Sequence, residues 1–410
     1  MRFTSAFAVA SFLASGVSAA PNKRATAASP TATDVADVYA AQATALTLSP
    51  TSNVKGAAFD RYVSIWFENT DFETAQADPN FQFFAKKGIT LSSLVCATHP
   101  SEPNYMAAIG GDYFGLDGDA FNAVPQNVST VIDLLEDKGI SWGLYQEDMP
   151  YSGFEGFAWV NQQNGANDYV RKHNPAILYN SVVTSPQRAA QVKNTTMFFK
   201  DLKDNKLPQW MFITPNMTSD GHDTSVTVAG AWLKNFLAPL LDDPNFMQNT
   251  MVLITFDENE TYSIQNRVFS ILLGDAIPAE LEGTTDDNYY NHYSEISTVE
   301  ANWDLYTLGR WDVGANVFAN VAKYTGDRIR KWSTTPDLAH RYFNSSYAGI
   351  FNSHGLWAPQ PVPDCHSRRN GRTTLPAIKA QWESQQDKNY YHGELEVPDG
   401  LNPPVIPYSV

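Results

Sequence analysis

The chain has 410 residues, 43% of them hydrophobic, which is ample for a large core, and its length allows two or three domains or one large one. Its formal net charge of −16 and pI of about 4.8 argue against nucleic acid, which needs a basic footprint, and suit a protein that must stay soluble in an acidic medium.

The first element is a secretory signal over residues 1–19. Arg2 supplies the charge, Ala6 to Val17 the apolar core, and Val17-Ser18-Ala19 the small-residue cleavage site. That core is too short to span a bilayer, and no other segment is long enough, so the expectation is a secreted protein without a transmembrane segment. A loosely ordered lead-in rich in Ala, Thr, Ser and Pro occupies residues 20–58. Residues 59–340 are expected to form the catalytic domain, and residues 341–410 a tail wrapping it. Secretion makes the Asn-x-Ser/Thr sequons at Asn127, Asn194, Asn216, Asn259 and Asn344 candidate glycan sites, and it favours pairing of the two cysteines, Cys96 and Cys365.

Tyr62 to Phe67 is a short apolar run rich in β-branched and aromatic residues, as buried parallel strands are, and it leads straight into Glu68-Asn69. Pro103 suits the first turn of a helix that continues through Ile109 and stops at Gly110-Gly111, so Ser101 sits at the helix start. Asn127 is a cap for a helix over Val128–Lys138 with Gly139 as its stop, and Ile140 to Tyr145 is a strand. Trp210 to Thr214 is another strand, followed by Ser219-Asp220-Gly221-His222-Asp223, then a helix over Thr227–Leu241. The strand Met251–Phe256 leads into Asp257-Glu258. This alternation predicts a mainly parallel sheet with helices on both faces. Ligands of such sheets bind beyond the carboxyl ends of the strands, which is where Glu68-Asn69 and Asp257-Glu258 would meet. Their oxygen donors suggest one hard or borderline divalent metal ion.

Ser101 taken alone is an ordinary helix-start serine. Beside such a metal, and at a helix terminus that attracts anions, it becomes a candidate nucleophile toward phosphate. Of eight histidines, His222 and His292 (in Tyr290-Asn291-His292-Tyr293-Ser294) lie in polar, turn-forming settings suited to holding phosphate oxygens. His173, His340, His354, His366 and His392 read as surface or packing residues, and His99 as a loop-shaping neighbour of the serine.

Glu68-Asn69, Pro100-Ser101-x-Pro103-Asn104-Tyr105 with Gly110-Gly111, Ser219 to Asp223, Asp257-Glu258 and Asn291-His292-Tyr293-Ser294, in that order, resemble the phosphoesterase family of acid phosphatases and phospholipases C, and within it the secreted fungal phosphate-repressible acid phosphatases. The resemblance covers roughly Phe59 to Leu308. It implies an alkaline-phosphatase-like α/β/α sandwich and a phosphomonoesterase acting on small molecules through a phosphoserine at Ser101. Glu68, Asn69, Asp257 and Ser101 match the family's metal ligands, and His222, His292 and Glu258 match groups around the phosphate. Asn69 and Asp223 are assigned to substrate, and protonated histidines are expected to favour acid pH. Phospholipase-type members carry threonine and a following Pro-Asn-Arg where this chain has Ser101 and Pro103-Asn104-Tyr105, which favours a monoesterase over a diesterase.

Gly139-Ile140-Ser141-Trp142-Gly143 satisfies the serine-esterase pattern Gly-x-Ser-x-Gly, but Ser141 enters a strand instead of leaving one. A glycosidase would use the carboxylates yet has no call on Ser101. A non-catalytic phosphate-binding glycoprotein is separated from the enzyme by turnover of p-nitrophenyl phosphate.

Overall fold

The computed structural model describes residues 34–330, 346–347, 349–352, 362–389 and 391. The signal segment, Asn344, His340, His354 and His392 lie outside the described residues. No described helix is long and apolar enough to cross a membrane.

Eight strands make the central sheet: β1 (Arg61–Phe67), β2 (Gly88–Val95), β3 (Trp142–Gln146), β4 (Val192–Asn194), β5 (Trp210–Thr214), β6 (Thr250–Phe256), β7 (Arg267–Leu273) and β8 (Thr284–Asp286). Their spatial order is β8-β2-β7-β6-β1-β5-β3-β4, and only β7 runs against its neighbours. The central strands are buried along nearly their whole length, so their sequences are continuously apolar where a half-exposed strand would alternate.

The helices used below are α1 (Pro79–Ala85), α2 (Ser101–Gly110), α3 (Val131–Asp137), α4 (Val226–Leu237) and α5 (Tyr293–Trp303). Consecutive strand residues point to opposite faces, and the end of β1 displays both layers. Trp66 packs on Tyr105 of α2 and on His292, which caps α5. Phe67 meets Phe81 of α1 and Trp232 of α4. The result is the expected α/β/α sandwich with a mainly parallel sheet.

Local chemistry moved some boundaries. The helix expected from Asn127 starts later: Thr130 caps α3, accepting from the Ile132 N–H, while Asp133 accepts the Thr130 N–H in a capping box. Helix α4 stops at Leu237, where the chain tightens into a 3₁₀ turn containing Pro239. At the end of α2 a Cβ on Gly110 would run into the Tyr179 hydroxyl, and Gly111 takes the left-handed conformation with φ of 72° that closes the helix. Ser141 lies at the entrance to β3, where Ser52 donates to its hydroxyl and that hydroxyl accepts the Gln209 N–H, so it is a structural serine.

The expected disulfide is not formed. Cys96 and Cys365 are free, buried thiols; Cys96 faces the Phe256 carbonyl oxygen, and Cys365 accepts from the Gln386 amide. Each thiol has its own polar neighbour in a different part of the packing.

Candidate active site

Strands β1 and β6 are parallel neighbours, with Phe67 opposite Phe256. The next residue on each, Glu68 and Asp257, therefore emerges side by side at the carboxyl edge. The Asp257 N–H donates to the Phe67 carbonyl (2.9 Å), and the N–H groups of Glu258 and Asn69 donate to Asp257 Oδ1 (2.7 and 3.3 Å). Ser101 opens α2 above this edge. Its Oγ donates to Glu68 Oε2 (3.2 Å) and lies 3.4 Å from Glu258 Oε1, which also accepts from Asn69 Nδ2 (3.1 Å). One turn along α2, Tyr105 donates its hydroxyl to Glu68 Oε1 (2.6 Å). The structure thus brings Glu68, Asn69, Ser101, Asp257 and Glu258 together.

His173, read from sequence as a surface or packing residue, also lies against the acidic edge. It is buried, with Nε2 3.1 Å from Glu68 Oε1 and Nδ1 3.4 Å from Asp220 Oδ2, and its ring stacks on Tyr105. Glu68, His173 and Asp220 offer ligand atoms that all lie within 4.8 Å of one another, a grouping capable of holding a metal ion. The expected set had oxygens and one amide; this trio shares Glu68 with it and adds an imidazole. Asp220 reaches the site because the Glu68 N–H donates to its carbonyl (3.2 Å), while its Oδ1 accepts from the His222 N–H (2.8 Å).

The other histidines also sort differently from expectation. His222 is at the rim, with Nδ1 2.8 Å from Asp223 Oδ1 and its ring 5.8 Å from that of His173. Asp223 is largely turned outward, accepting from Asn167 Nδ2 (2.8 Å), so it meets His222 and not the buried carboxylates. His292 is fully buried, and its Nε2 donates to the Asp257 carbonyl (2.7 Å). His99 is more than a loop-shaper: Nδ1 lies 2.7 Å from Glu258 Oε2, and Nε2 lies 3.0 Å from Asn259 Oδ1. Asn259 in turn donates Nδ2 to Asp71 (3.1 Å) and to the Thr261 carbonyl (2.9 Å). A glycan on that buried nitrogen would break this arrangement, so Asn259 is no glycan site in the folded chain. Asn194 and Asn216 are half-buried with their amides donating to Met149 O and Asp148, whereas Asn127 is exposed.

Electrostatics follow from burying so many acids together. Glu68, Asp220, Asp257 and Glu258 are all pushed well above the usual carboxylate range, first by burial and then by one another or by Asp119, with Lys172 opposing the trend in each case. Lys172 adjoins His173 and pairs with Asp119 (3.0 Å). Burial lowers His99 and His292 to about 4 and His173 well below its ordinary value. Of the two histidines expected to carry charge beside the phosphate, His292 is buried, and desolvation favours its neutral imidazole.

A divalent cation fits this donor set. Asn69 Oδ1 and His292 Nδ1 are buried without a hydrogen-bond partner among the described residues, and Asp257 Oδ2 has no well-formed one. Clustered buried carboxylates with spare lone pairs are what a cation would satisfy.

The model of the Phosphoesterase family matches residues 70–306, more than half of the chain. The chain belongs to the phosphoesterase family. The phosphate-repressible acid phosphatase of Penicillium chrysogenum is 48% identical to it, over 92% of this chain and 87% of its own length. The acid phosphatase of Aspergillus fumigatus is 56% identical over 68% of this chain and 62% of its own. Among solved structures, a protein in the alkaline phosphatase superfamily from Vibrio parahaemolyticus aligns with a TM-score of 0.39 and 13% identity, covering 64% of this chain and 73% of that one.

Proposed function

We propose that this phosphoesterase is a secreted acid phosphatase that hydrolyses small phosphomonoesters through a phosphoserine at Ser101. The observation that carries the reading is the buried Ser101 hydroxyl at the start of α2, held between Glu68 and Glu258. Acid phosphatase activity is what the fungal relatives are named for. The leader-like residues 1–19 support secretion.

The donors for one divalent cation are Glu68, Asn69, Asp257 and Ser101, with His173 and Asp220 on the other side of Glu68. Such a cation supplies positive charge that lowers the pKa of a serine hydroxyl and balances phosphate oxygens. Ser101 is aimed by its hydrogen bond to Glu68, whose other oxygen Tyr105 fixes. Asn69 offers an amide donor beside the serine, and His222 a donor at the rim.

The tautomer of His99 locates a proton. Asn259 spends its Nδ2 on Asp71 and Thr261, so its Oδ1 must accept from His99 Nε2–H. His99 then presents its unprotonated Nδ1 to Glu258 Oε2 at 2.7 Å. Burial pushes the Glu258 carboxyl up, which suits it to protonate the leaving alcohol. Ser101 passes its proton to Glu68, to which it already donates, as its Oγ bonds to phosphorus and the P–O bond to the alcohol breaks, the alcohol taking a proton from Glu258. Water then attacks the phosphoserine and gives one proton to Glu258, while the departing Ser101 oxygen takes its proton back from Glu68 and phosphate leaves.

Acid quenching during turnover of p-nitrophenyl phosphate, followed by peptide mapping, is expected to find phosphate on Ser101. Ser101→Ala is expected to lose at least ~10³-fold in kcat while keeping its fold. Phosphate trapped on another residue, or near-normal turnover by the folded variant, overturns the assignment.

A further inference from the structure

Negative charge gathers around Ser101 faster than positive charge. Glu68, Asp220, Asp257 and Glu258 are buried together, and burial disfavours charge on the neighbouring His99, His173 and His292. A phosphate monoester brings further negative oxygens to that company, and its transfer depends mostly on charge neutralisation.

Two basic residues precede His173 in the 3₁₀ turn Arg171–His173. Arg171 is buried and turns its guanidinium to carbonyls: Nη1 donates to Glu155 O (3.0 Å), and Nη2 to Asn122 O (3.2 Å) and Ile177 O (2.7 Å). Lys172 is placed differently. Its Nζ donates to Asp119 Oδ2 (3.0 Å), and the other oxygen of Asp119 accepts the N–H of Glu102 (3.0 Å). One carboxylate therefore ties the ammonium to the first turn of α2, at the residue that follows the nucleophile. An ammonium has three N–H donors, and Asp119 is the hydrogen-bond acceptor that Lys172 meets among the described residues. The Lys172 charge reaches Glu68, Asp220, Asp257 and Glu258 alike and acts against their protonation. The side chains of Lys172 and Asp119 are 16% and 29% exposed, so small anions in solution can reach the pair.

We propose that Lys172 is a phosphate anchor of the Ser101 site, its ammonium bridging Asp119 and an oxygen of the bound phosphomonoester. In naming that substrate the proposal rests on the phosphatase reading above. Lysine serves phosphate as a compact point charge. Held by Asp119, the ammonium is in place before the anion arrives, which lowers the ordering cost of binding.

Titration calorimetry of the full-length, metal-containing protein with inorganic phosphate tests the contact without turnover. Lys172→Met is expected to weaken phosphate at least about tenfold while bound metal is retained, because a charge-assisted hydrogen bond is lost. Lys172→Arg keeps the charge and should bind within about threefold of wild type. KM for p-nitrophenyl phosphate should follow the phosphate Kd across both variants. An unchanged Kd in Lys172→Met, or equal losses in both variants together with lost metal, would make Lys172 a prop for Asp119 and His173 and overturn the anchor. In wild-type protein, phosphate is expected to slow acetylation of Lys172 by acetic anhydride but not that of exposed Lys87. Absent or equal slowing overturns the proposal even if the methionine variant fails to fold. Wild-type protein that binds phosphate yet turns over no p-nitrophenyl phosphate would sink the phosphatase reading and leave the anion contact standing.

Discussion

Asp327 and Asp257 both bury their side chains, yet in opposite company. Asp327 is met by Arg369 (3.2 Å), Arg372 (2.6 Å) and the Thr325 hydroxyl (2.7 Å), the two arginines coming from the C-terminal stretch. Although burial pushes its carboxyl up, Arg372 and its other partners hold it below the ordinary range. Asp257 has carboxylates for neighbours, and burial and Glu258 push it well up. The first cluster is neutralised by the protein itself. The second is left for something bound to complete, and that separates a fastening from a site.

Three experiments press on this contrast. Glu68→Gln removes the charge shared by both groups of prospective ligands while keeping shape, and is expected to cost activity about 10³-fold together with loss of tightly held metal by elemental analysis. Undiminished metal content and rate would show the carboxylate cluster to be structural like the other. Asp327→Asn leaves two buried guanidinium groups short of a counter-charge and is expected to destabilise by about 3 kcal/mol in denaturant melts, with kcat within about twofold. The native carboxyl is depressed, so its contribution is complete above the ordinary carboxylate range and is lost as pH falls through the lowered value. The variant should therefore lose that acid-side dependence. Smallest is the effect of pH on metal-free protein. Glu68, Asp220, Asp257 and Glu258 are raised on folding, so the penalty of ionising them grows as pH rises above ~4, the unfolded carboxylate range. Calorimetry of the chelated protein should show Tm falling from pH 5 to 7, with added metal restoring most at the upper end. A Tm independent of pH would remove the argument that these acids await a cation.

Much of the site was legible because strands β1 and β6 are apolar to their last residue and then turn abruptly acidic, a boundary that one sequence displays plainly. Ser101 was legible from the proline and glycines that frame α2. His173 was not. It follows Arg171-Lys172 in a 3₁₀ turn with no apolar periodicity, and only the tertiary approach of that turn to Tyr105 and Glu68 gives it a role. His222 drew attention as the histidine of its motif, whereas the buried member of that loop is Asp220. The antiparallel course of β7 was equally hidden, since an apolar run reads the same in either direction. The sequon at Asn259 shows the limit of local pattern, because three residues match while the fold spends the amide elsewhere.

Ser101 and Tyr105 lie four positions apart on one helix and grip the two oxygens of the same carboxylate. Inserting or deleting a single residue between them would swing one side chain by about 100° around the helix axis. Nucleophile and clamp would then part company although both were still encoded. The four-residue interval from serine to tyrosine is thus itself a working part of the site, as much as either side chain.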